Sequence, residues 1–158
     1  MKKVITVILS VLLLATTLTV FASCGNDSPE VAIENYAKML KLATKGNVED
    51  VAPEAFWEEL ESEYGVTPAD LAEKIGGGNI IDFSVTSVEE VDDLDDWKDA
   101  NDRILGIDTD DITAVYIVEV ESDSSSRVFG SRFTVFELDG DFYAVEVLTL
   151  LTMTAYSM

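Results

Sequence analysis

The hydrophobic and polar positions of the chain divide it into three stretches that differ in period. Residues 4–21 are almost wholly apolar, residues 30–75 repeat apolar side chains at helical spacing, and residues 80–153 alternate apolar and polar side chains. A repeat of about 3.6 residues is typical of a helix and a repeat of two is typical of a strand. The pattern therefore predicts helices first and strands afterwards.

The helical stretch predicts three helices, each with a start or stop signal. The first opens at Ser28-Pro29-Glu30, with an N-cap serine and a proline at the first helical position, and ends at Lys45-Gly46-Asn47. The second covers about 48–64, where Pro53 marks either a kink or a fresh start. The third is short, starts at Thr67 and is ended by the glycines at 76–78.

The alternating stretch predicts four strands, over about 80–91, 112–121, 128–138 and 142–153, with a tight hairpin turn at Asp139-Gly140-Asp141. Helices followed by antiparallel strands predict an α+β domain, with N-terminal helices packed on a curved, cone-like antiparallel sheet of about four strands. The last strand is apolar on both sides. The face of the sheet that does not pack on the helices is therefore predicted to line a pocket, to pack on the C-terminal residues or to form a dimer.

The N-terminal apolar stretch has the layout of an export signal. Lys2 and Lys3 precede it, and Phe21-Ala22-Ser23-Cys24, with two small residues before the cysteine, resembles the lipobox of bacterial lipoproteins. The resemblance implies cleavage before Cys24 and a lipid on its thiol, which anchors the protein at the extracytoplasmic face of the cell membrane. An uncleaved anchor is one alternative, because ~18 apolar residues can span a bilayer. Cleavage at a nearby site, with an incidental Cys24, is the other.

These boundaries predict three parts of the chain. They are a signal peptide over 1–23, the lipidated cysteine with a short polar tether over 24–29, and a single α+β domain over 30–158. The 135 residues from Cys24 onward are enough to bury a core without disulfides or metals.

Acidic residues dominate the part of the chain after the signal peptide. The sequence has 31 acidic and 10 basic residues, and two of the basic ones are Lys2 and Lys3, so eight basic residues remain and the net charge becomes −23. Such a surface repels phosphate backbones, which excludes nucleic acid as a partner. It attracts cations and basic proteins, although high charge also serves simply to keep an exported domain soluble.

The residue types exclude most catalytic chemistry. The chain has no histidine and one cysteine, so Ser-His and Cys-His nucleophiles, histidine-bound metals and an intrachain disulfide are all excluded. Paired carboxylates, such as Glu119 with Glu121 or Glu146, leave one enzymatic route, but on strands they can simply face solvent. The sequence therefore predicts a protein that is not an enzyme and that has no cofactor and no catalytic residue.

The aspartates within residues 92–111 raise the question of a calcium site. Closely spaced carboxylates can supply the oxygen ligands that calcium needs. No window in this segment, however, has the alternating ligands, the central glycine and the closing glutamate of a helix-loop-helix calcium loop. A solvated acidic connector is the favoured interpretation, and no metal site is predicted.

Three short motifs carry a family resemblance: Ser28-Pro29-Glu30-Val31, Lys45-Gly46-Asn47-Val48 and the segment from Phe136 to Tyr143. Together they resemble the nuclear-transport-factor-2-like, cystatin-like superfamily, and more narrowly small lipoproteins of Gram-positive, Clostridia-like bacteria. The resemblance implies a curved sheet wrapped around a helix, often with a cavity and often dimeric. Enzymes of this superfamily place histidine and aspartate in the cone. No catalytic residue carries over, because this chain has no histidine.

Aromatic residues are the remaining candidates for a binding role. Six of them are candidates to stack on a ligand, although aromatics at helix or strand spacing also build cores. They are Trp57, Trp97, Tyr116, Phe129, Phe133 and Tyr143. Tyr116 and Tyr143, which have polar tips on apolar bodies, are predicted to line the pocket. The predicted function is a ligand- or protein-binding module held at the membrane through Cys24. The alternative is an interaction protein that forms a homodimer through its sheet face.

Overall fold

The computed structural model describes residues 26–79, 81–101, 104, 106–122 and 129–158. Cys24 and the lipobox residues Phe21, Ala22 and Ser23 therefore lie outside the described residues. The helices are α1 Pro29–Lys41, α2 Lys45–Glu49, α3 Glu54–Tyr64, α4 Pro68–Ile75, α5 Leu94–Ala100 and α6 Val145–Tyr156. The strands are β1 Phe83–Glu90, β2 Ile112–Ser122, β3 Arg132–Leu138 and β4 Asp141–Ala144, and a 3-10 turn covers Thr109–Asp111.

Side-chain caps explain where the helices begin. Ser28 accepts a hydrogen bond from the backbone N–H of Val31 at 3.3 Å, so it caps α1 as predicted. Thr67 and Asp70 form a reciprocal capping box at the start of α4. Pro53 stands immediately before α3 and marks a fresh start instead of a kink, because a proline inside a helix would remove a backbone hydrogen bond.

The first helix ends earlier than predicted. α1 stops at Lys41, and Lys45, Gly46 and Asn47 form the first turn of α2 instead of terminating α1. Thr44 caps this short helix by accepting from the N–H of Asn47 at 3.3 Å. The Asn47 side-chain amide also donates to the carbonyl of Leu42 at 2.7 Å. The two bonds stabilise the connection between the helices.

The four strands form one antiparallel sheet in the order β1-β2-β3-β4. The hairpin between β3 and β4 matches the prediction: Leu138 pairs with Asp141, and only Asp139 and Gly140 lie between them. Their φ angles are 55° and 88°, both positive, as a two-residue turn of the mirror-image type requires. The Asp-Gly pair supplies this geometry at low cost.

The predicted fourth strand is wrong beyond Ala144. Residues Val145–Tyr156 form α6, whose buried positions Val147, Leu148, Leu151 and Ala155 recur at helical spacing. A continuous apolar run fits both a buried strand and a buried helix, so its period did not separate the two. Where the chain changes from strand to helix, the Glu146 carboxylate accepts from the N–H of Thr134 at 3.0 and 2.9 Å. Thr134 directly precedes Val135, which forms the last pair between β3 and β4.

The core lies between the sheet and the helices. α1 packs against β2, β3 and β4, and its Tyr36 ring lies 5.6 Å from the ring of Phe129 and 6.0 Å from that of Phe133. α6 packs against β3 and β4 and also contacts α3 and α4. The α+β class with N-terminal helices and a four-stranded antiparallel sheet is confirmed, and the described strands leave the sheet open.

Candidate functional site

A cleft of about 620 Å³ lies among the short N-terminal helices and is here called the Trp57 cleft. α2 and the chain after it form one wall, α3 forms the floor, and the start of α4 forms the other wall. Its lining residues are Lys45, Glu49, Ala52, Glu54, Trp57, Glu58, Glu61, Thr67, Pro68 and Ala69. The cleft is open to solvent, so a ligand can enter it without rearrangement of the fold.

Trp57 is held in one orientation at the centre of the cleft. Its indole N–H donates to the carbonyl of Glu49 at 3.2 Å and to that of Ala52 at 3.1 Å. Its ring meets the fully buried ring of Phe56 edge to face, with the centroids 5.2 Å apart. Because the only polar atom of the indole is already bonded, the half-buried ring presents an apolar face to a ligand.

Four glutamates line the same cleft as Trp57, at Glu49, Glu54, Glu58 and Glu61. Glu54, Glu58 and Glu61 are three to four residues apart on α3, so they share one helix face and repel one another. Lys45 is the only basic residue of the lining, and its ammonium lies 3.3 Å from the Glu49 carboxylate. Both of these side chains are largely exposed, so this ion pair is weak. The cleft is negative overall.

The wall opposite α2 is fixed by the capping box of α4. The Asp70 carboxylate accepts from the Thr67 hydroxyl at 2.6 Å and from the Thr67 N–H at 2.9 Å. These two hydrogen bonds, the side-chain one first, lower the pKa of the Asp70 carboxyl. Thr67, Pro68 and Ala69 are thereby held in place beside the indole.

The lining of the cleft combines an aromatic face with carboxylates. An aromatic face beside carboxylates is a combination of groups that attracts an organic cation. No described lining residue forms a nucleophile-base pair, and lysine and threonine are the only nucleophile-type side chains in the cleft. In the part of the chain that the structure describes, no three carboxylate or thiol side chains are grouped to hold a metal ion.

The predicted lining residues Tyr116 and Tyr143 lie on the sheet, outside the Trp57 cleft. Tyr116 pairs with Val135, whereas Tyr143 pairs with Phe136, so the two rings point to opposite faces. The Tyr116 ring lies 5.8 Å from that of Phe142, and the Tyr143 ring 5.9 Å from that of Phe136. The structure does not bring them together.

Burial changes the ionisation of both tyrosines. Burial, followed by the charges of Asp141 and Asp139, raises the pKa of Tyr143 to about 12. Burial also raises the pKa of Tyr116, with smaller contributions from the carboxylates of Glu90 and Glu137. Both groups therefore stay neutral near pH 7.

Several aspartates of the acidic segment 92–111 have local structural roles. Asp93 caps α5 by accepting from the N–H of Asp96 at 3.1 Å. Asp108 accepts from the N–H of Asp110 at 3.0 Å at the start of the 3-10 turn. Lys98 donates to the Asp110 carbonyl at 3.1 Å, which joins α5 to this turn. Helix starts thus account for part of the aspartate content.

The carboxylates considered for catalysis lie apart from the cleft. Glu119 and Glu121 are exposed on β2, and Glu146 is bonded to the backbone of Thr134. The sequence signal that could have singled out the cleft is the run of residues 53–61, PEAFWEELE, where glutamates recur beside a tryptophan. In the sequence, Trp57 is one aromatic among several, because the wall that α2 provides depends on tertiary structure.

Comparison with models of protein families, with curated proteins and with solved structures finds no match for this chain. Among the residues that the structure describes, no helix has both the length and the apolar character needed to cross a membrane.

Proposed function

We propose that this chain is a membrane-anchored extracytoplasmic lipoprotein that acts as a non-catalytic binding module. Its binding site is the Trp57 cleft. The observation that carries the proposal is the fixed indole in a cleft that four glutamates and one lysine also line. The proposed ligand is a small molecule or a protein segment that carries positive charge on an apolar stem, such as the lysine and arginine side chains of a partner protein.

The physical chemistry of the cleft supports a cationic ligand. A cation over an indole gains about 0.5–2 kcal/mol, depending on how far it is desolvated. The acidic lining adds long-range attraction, which raises the rate of encounter more than the final affinity. A cationic ligand would also relieve the repulsion among Glu54, Glu58 and Glu61 on α3. The apolar part of such a ligand would lie on the indole.

The experiment is an isothermal titration of the domain with a tetralysine peptide, comparing two double variants of equal charge. Glu58→Gln with Glu61→Gln removes two charges from the cleft. Glu89→Gln with Glu119→Gln removes two exposed charges from β1 and β2. We expect at least a five-fold loss of affinity in the first variant and less than a two-fold loss in the second. Equal losses would mean that the peptide responds only to overall charge, and the proposed site would be wrong.

The membrane anchor is proposed from the lipobox alone. The dense negative charge of the domain offers no attraction to anionic lipid, so a covalent lipid is the only proposed means of attachment. The resemblance to the nuclear-transport-factor-2-like superfamily also stays a proposal. It is supported by the packing of α1 on an open four-stranded sheet.

Dimerisation through the sheet face is the less supported alternative. In the described part of the chain, the large apolar side chains that are mostly exposed are Leu42, Met153, Tyr156 and Met158. None of these residues lies on a strand. The apolar side chains of the strands are buried or half-buried, so the sheet offers less exposed apolar surface than such an interface favours.

A further inference from the structure

Asn26, only two residues after the predicted lipidation site, is buried in the domain. It retains 5% of its exposed surface, and its side chain donates to the carbonyl of Asp50 at 2.8 Å. Its backbone carbonyl accepts from the backbone N–H of Phe142 at 2.8 Å, on the side of β4 away from β3. A buried polar side chain is stable only when it is bonded in this way.

A chain of two side-chain hydrogen bonds connects α1 to the same residue. The Asn35 amide donates to the side-chain carbonyl of Asn26, and the Lys38 ammonium donates to that of Asn35 at 3.0 Å. Asn26, Asn35, Lys38 and the two backbone groups are here called the Asn26 network. It connects the N-terminal segment to α1, to the end of α2 and to the edge strand of the sheet.

The Asn26 network shortens the tether that the sequence suggests. The polar residues from Cys24 to Pro29 read as a tether, but Asn26 and Pro29 are buried and Ser28 caps α1. Two residues of extended chain span at most about 7 Å. The folded domain therefore begins within about 7 Å of Cys24, measured along the chain.

The Asn26 network also joins the N-terminal segment to the wall of the Trp57 cleft. Asp50, whose carbonyl bonds to Asn26, directly follows Glu49 and is two residues before Ala52. Glu49 and Ala52 line the cleft, and their carbonyls hold the indole of Trp57. Hydrogen bonds at both ends and the backbone of residues 49–52 between them thus link Asn26 to Trp57.

We infer that the Asn26 network holds the Trp57 cleft at the bilayer surface, with one end of the domain facing the lipid headgroups. The inference rests on the proposed lipid anchor at Cys24. The length of chain outside the described structure argues for it, since two residues leave no room for the domain to swing away. The ligand of the cleft must then be reached at the level of the headgroups.

The test places the lipidated full-length protein in phosphatidylcholine vesicles that contain a dansyl-labelled headgroup. The chain has two tryptophans, so Trp97→Phe leaves Trp57 as the sole donor for energy transfer to the dansyl groups. The comparison protein carries, in addition, about twelve Gly and Ser residues between Gly25 and Asn26, a linker with an average span of about 20 Å. This insertion lengthens the tether without altering the Asn26 network.

We expect transfer from Trp57 to fall at least two-fold when the linker is inserted, because transfer decreases steeply with distance. Equal transfer in the two proteins would show that the domain already moves freely, and the inference would be wrong while the anchor stands. Mass spectrometry of the vesicle-bound protein separates the two proposals. A chain without lipid would overturn the anchor, and this inference with it. Binding of tetralysine in solution tests the cleft independently of both.

Discussion

At the scale of single residues, the most informative position is Trp57, whose polar atom faces inward and whose ring faces the cleft. One of the two carbonyls that accept from its N–H belongs to Glu49, the last residue of α2, and the other belongs to Ala52, in the connection between α2 and α3. The Glu49 carbonyl also accepts from the backbone N–H of Ala52 at 3.4 Å, so the indole adds a second hydrogen bond at this end of α2. Trp57 therefore stabilises the wall of its own site, which couples the stability of the cleft to its recognition surface.

Replacing Trp57 with phenylalanine should therefore reduce both stability and binding. The variant loses the donor to Glu49 and Ala52, and we expect a loss of about 1–2 kcal/mol in the free energy of unfolding. Urea denaturation followed by circular dichroism measures it. Trp97→Phe, on α5, is the matched control. If the two variants had the same unfolding midpoint, the structural role assigned to the Trp57 N–H would be wrong.

The buried Tyr36 and the half-buried Tyr143 predict how stability changes at high pH. Burial raises the pKa of Tyr36 to about 12, and burial with nearby aspartates raises that of Tyr143 to about 12 as well. The unfolded chain releases these protons near pH 10, before the folded protein does. The folded state therefore holds more protons between pH 10 and 12, and stability should fall as the pH rises through this window.

Tyrosinate absorbance during a pH titration checks this prediction, together with urea midpoints at pH 9 and pH 11. Tyr143→Phe should weaken the fall in stability between those two values, because it removes one of the two groups with a raised pKa. A midpoint that stayed constant up to pH 11 in the unaltered protein would contradict the assignment of buried, neutral tyrosines.

At the scale of elements, the sequence predicts what local rules determine and fails where tertiary structure decides. Ser28 and Thr67 mark the starts of their helices, because capping depends on residues three positions apart. Asp139-Gly140 marks its turn, because the turn depends on the φ angles of these two adjacent residues. The run from Val145 onward follows no such rule. Its residues are apolar at adjacent positions, so only the packing of α6 against β3, α3 and α4 selects the helix.

Glu146 is the residue that we expect to stabilise this change from strand to helix. Its carboxylate lies in the first turn of α6, where negative charge is favourable, and it accepts from the N–H of Thr134. Glu146→Ala should lower the free energy of unfolding by about 1 kcal/mol, and Glu146→Gln, which keeps an acceptor, by about half of that. Chemical denaturation measures both. Equal stability of all three proteins would show that Glu146 does not stabilise the change from strand to helix.

At the scale of the whole molecule, a strongly acidic domain is joined to a short N-terminal segment that enters the fold at once. Composition predicts attraction to basic partners, but it cannot locate the cleft, because the way the three consecutive helices of its walls pack depends on tertiary structure. Tyr116 and Tyr143 have the side-chain chemistry of lining residues, but β-strand register places them on opposite faces of the sheet. Residue type is readable from sequence, whereas convergence of side chains depends on the fold.

The anchor gives a prediction at this same scale. Cys24→Ala removes the thiol that would carry the lipid, so the protein should move from the detergent phase to the aqueous phase when cells are extracted. High salt should not release the unaltered protein, because a domain with a net charge of −23 is not held to lipid by charge. Retention of the Cys24→Ala variant in the detergent phase would instead support an uncleaved apolar segment.

The most direct test of the central claim, a cationic ligand in the Trp57 cleft, is an amide NMR titration of the domain with tetralysine. We predict that the indole N–H of Trp57 and the backbone resonances of Ala52 and Ala69 shift together with one dissociation constant. The resonances of Glu89 and Glu119, which lie on the acidic sheet, should stay within half of those shifts. Shifts spread evenly over both acidic surfaces, or absent from Trp57, would contradict the account.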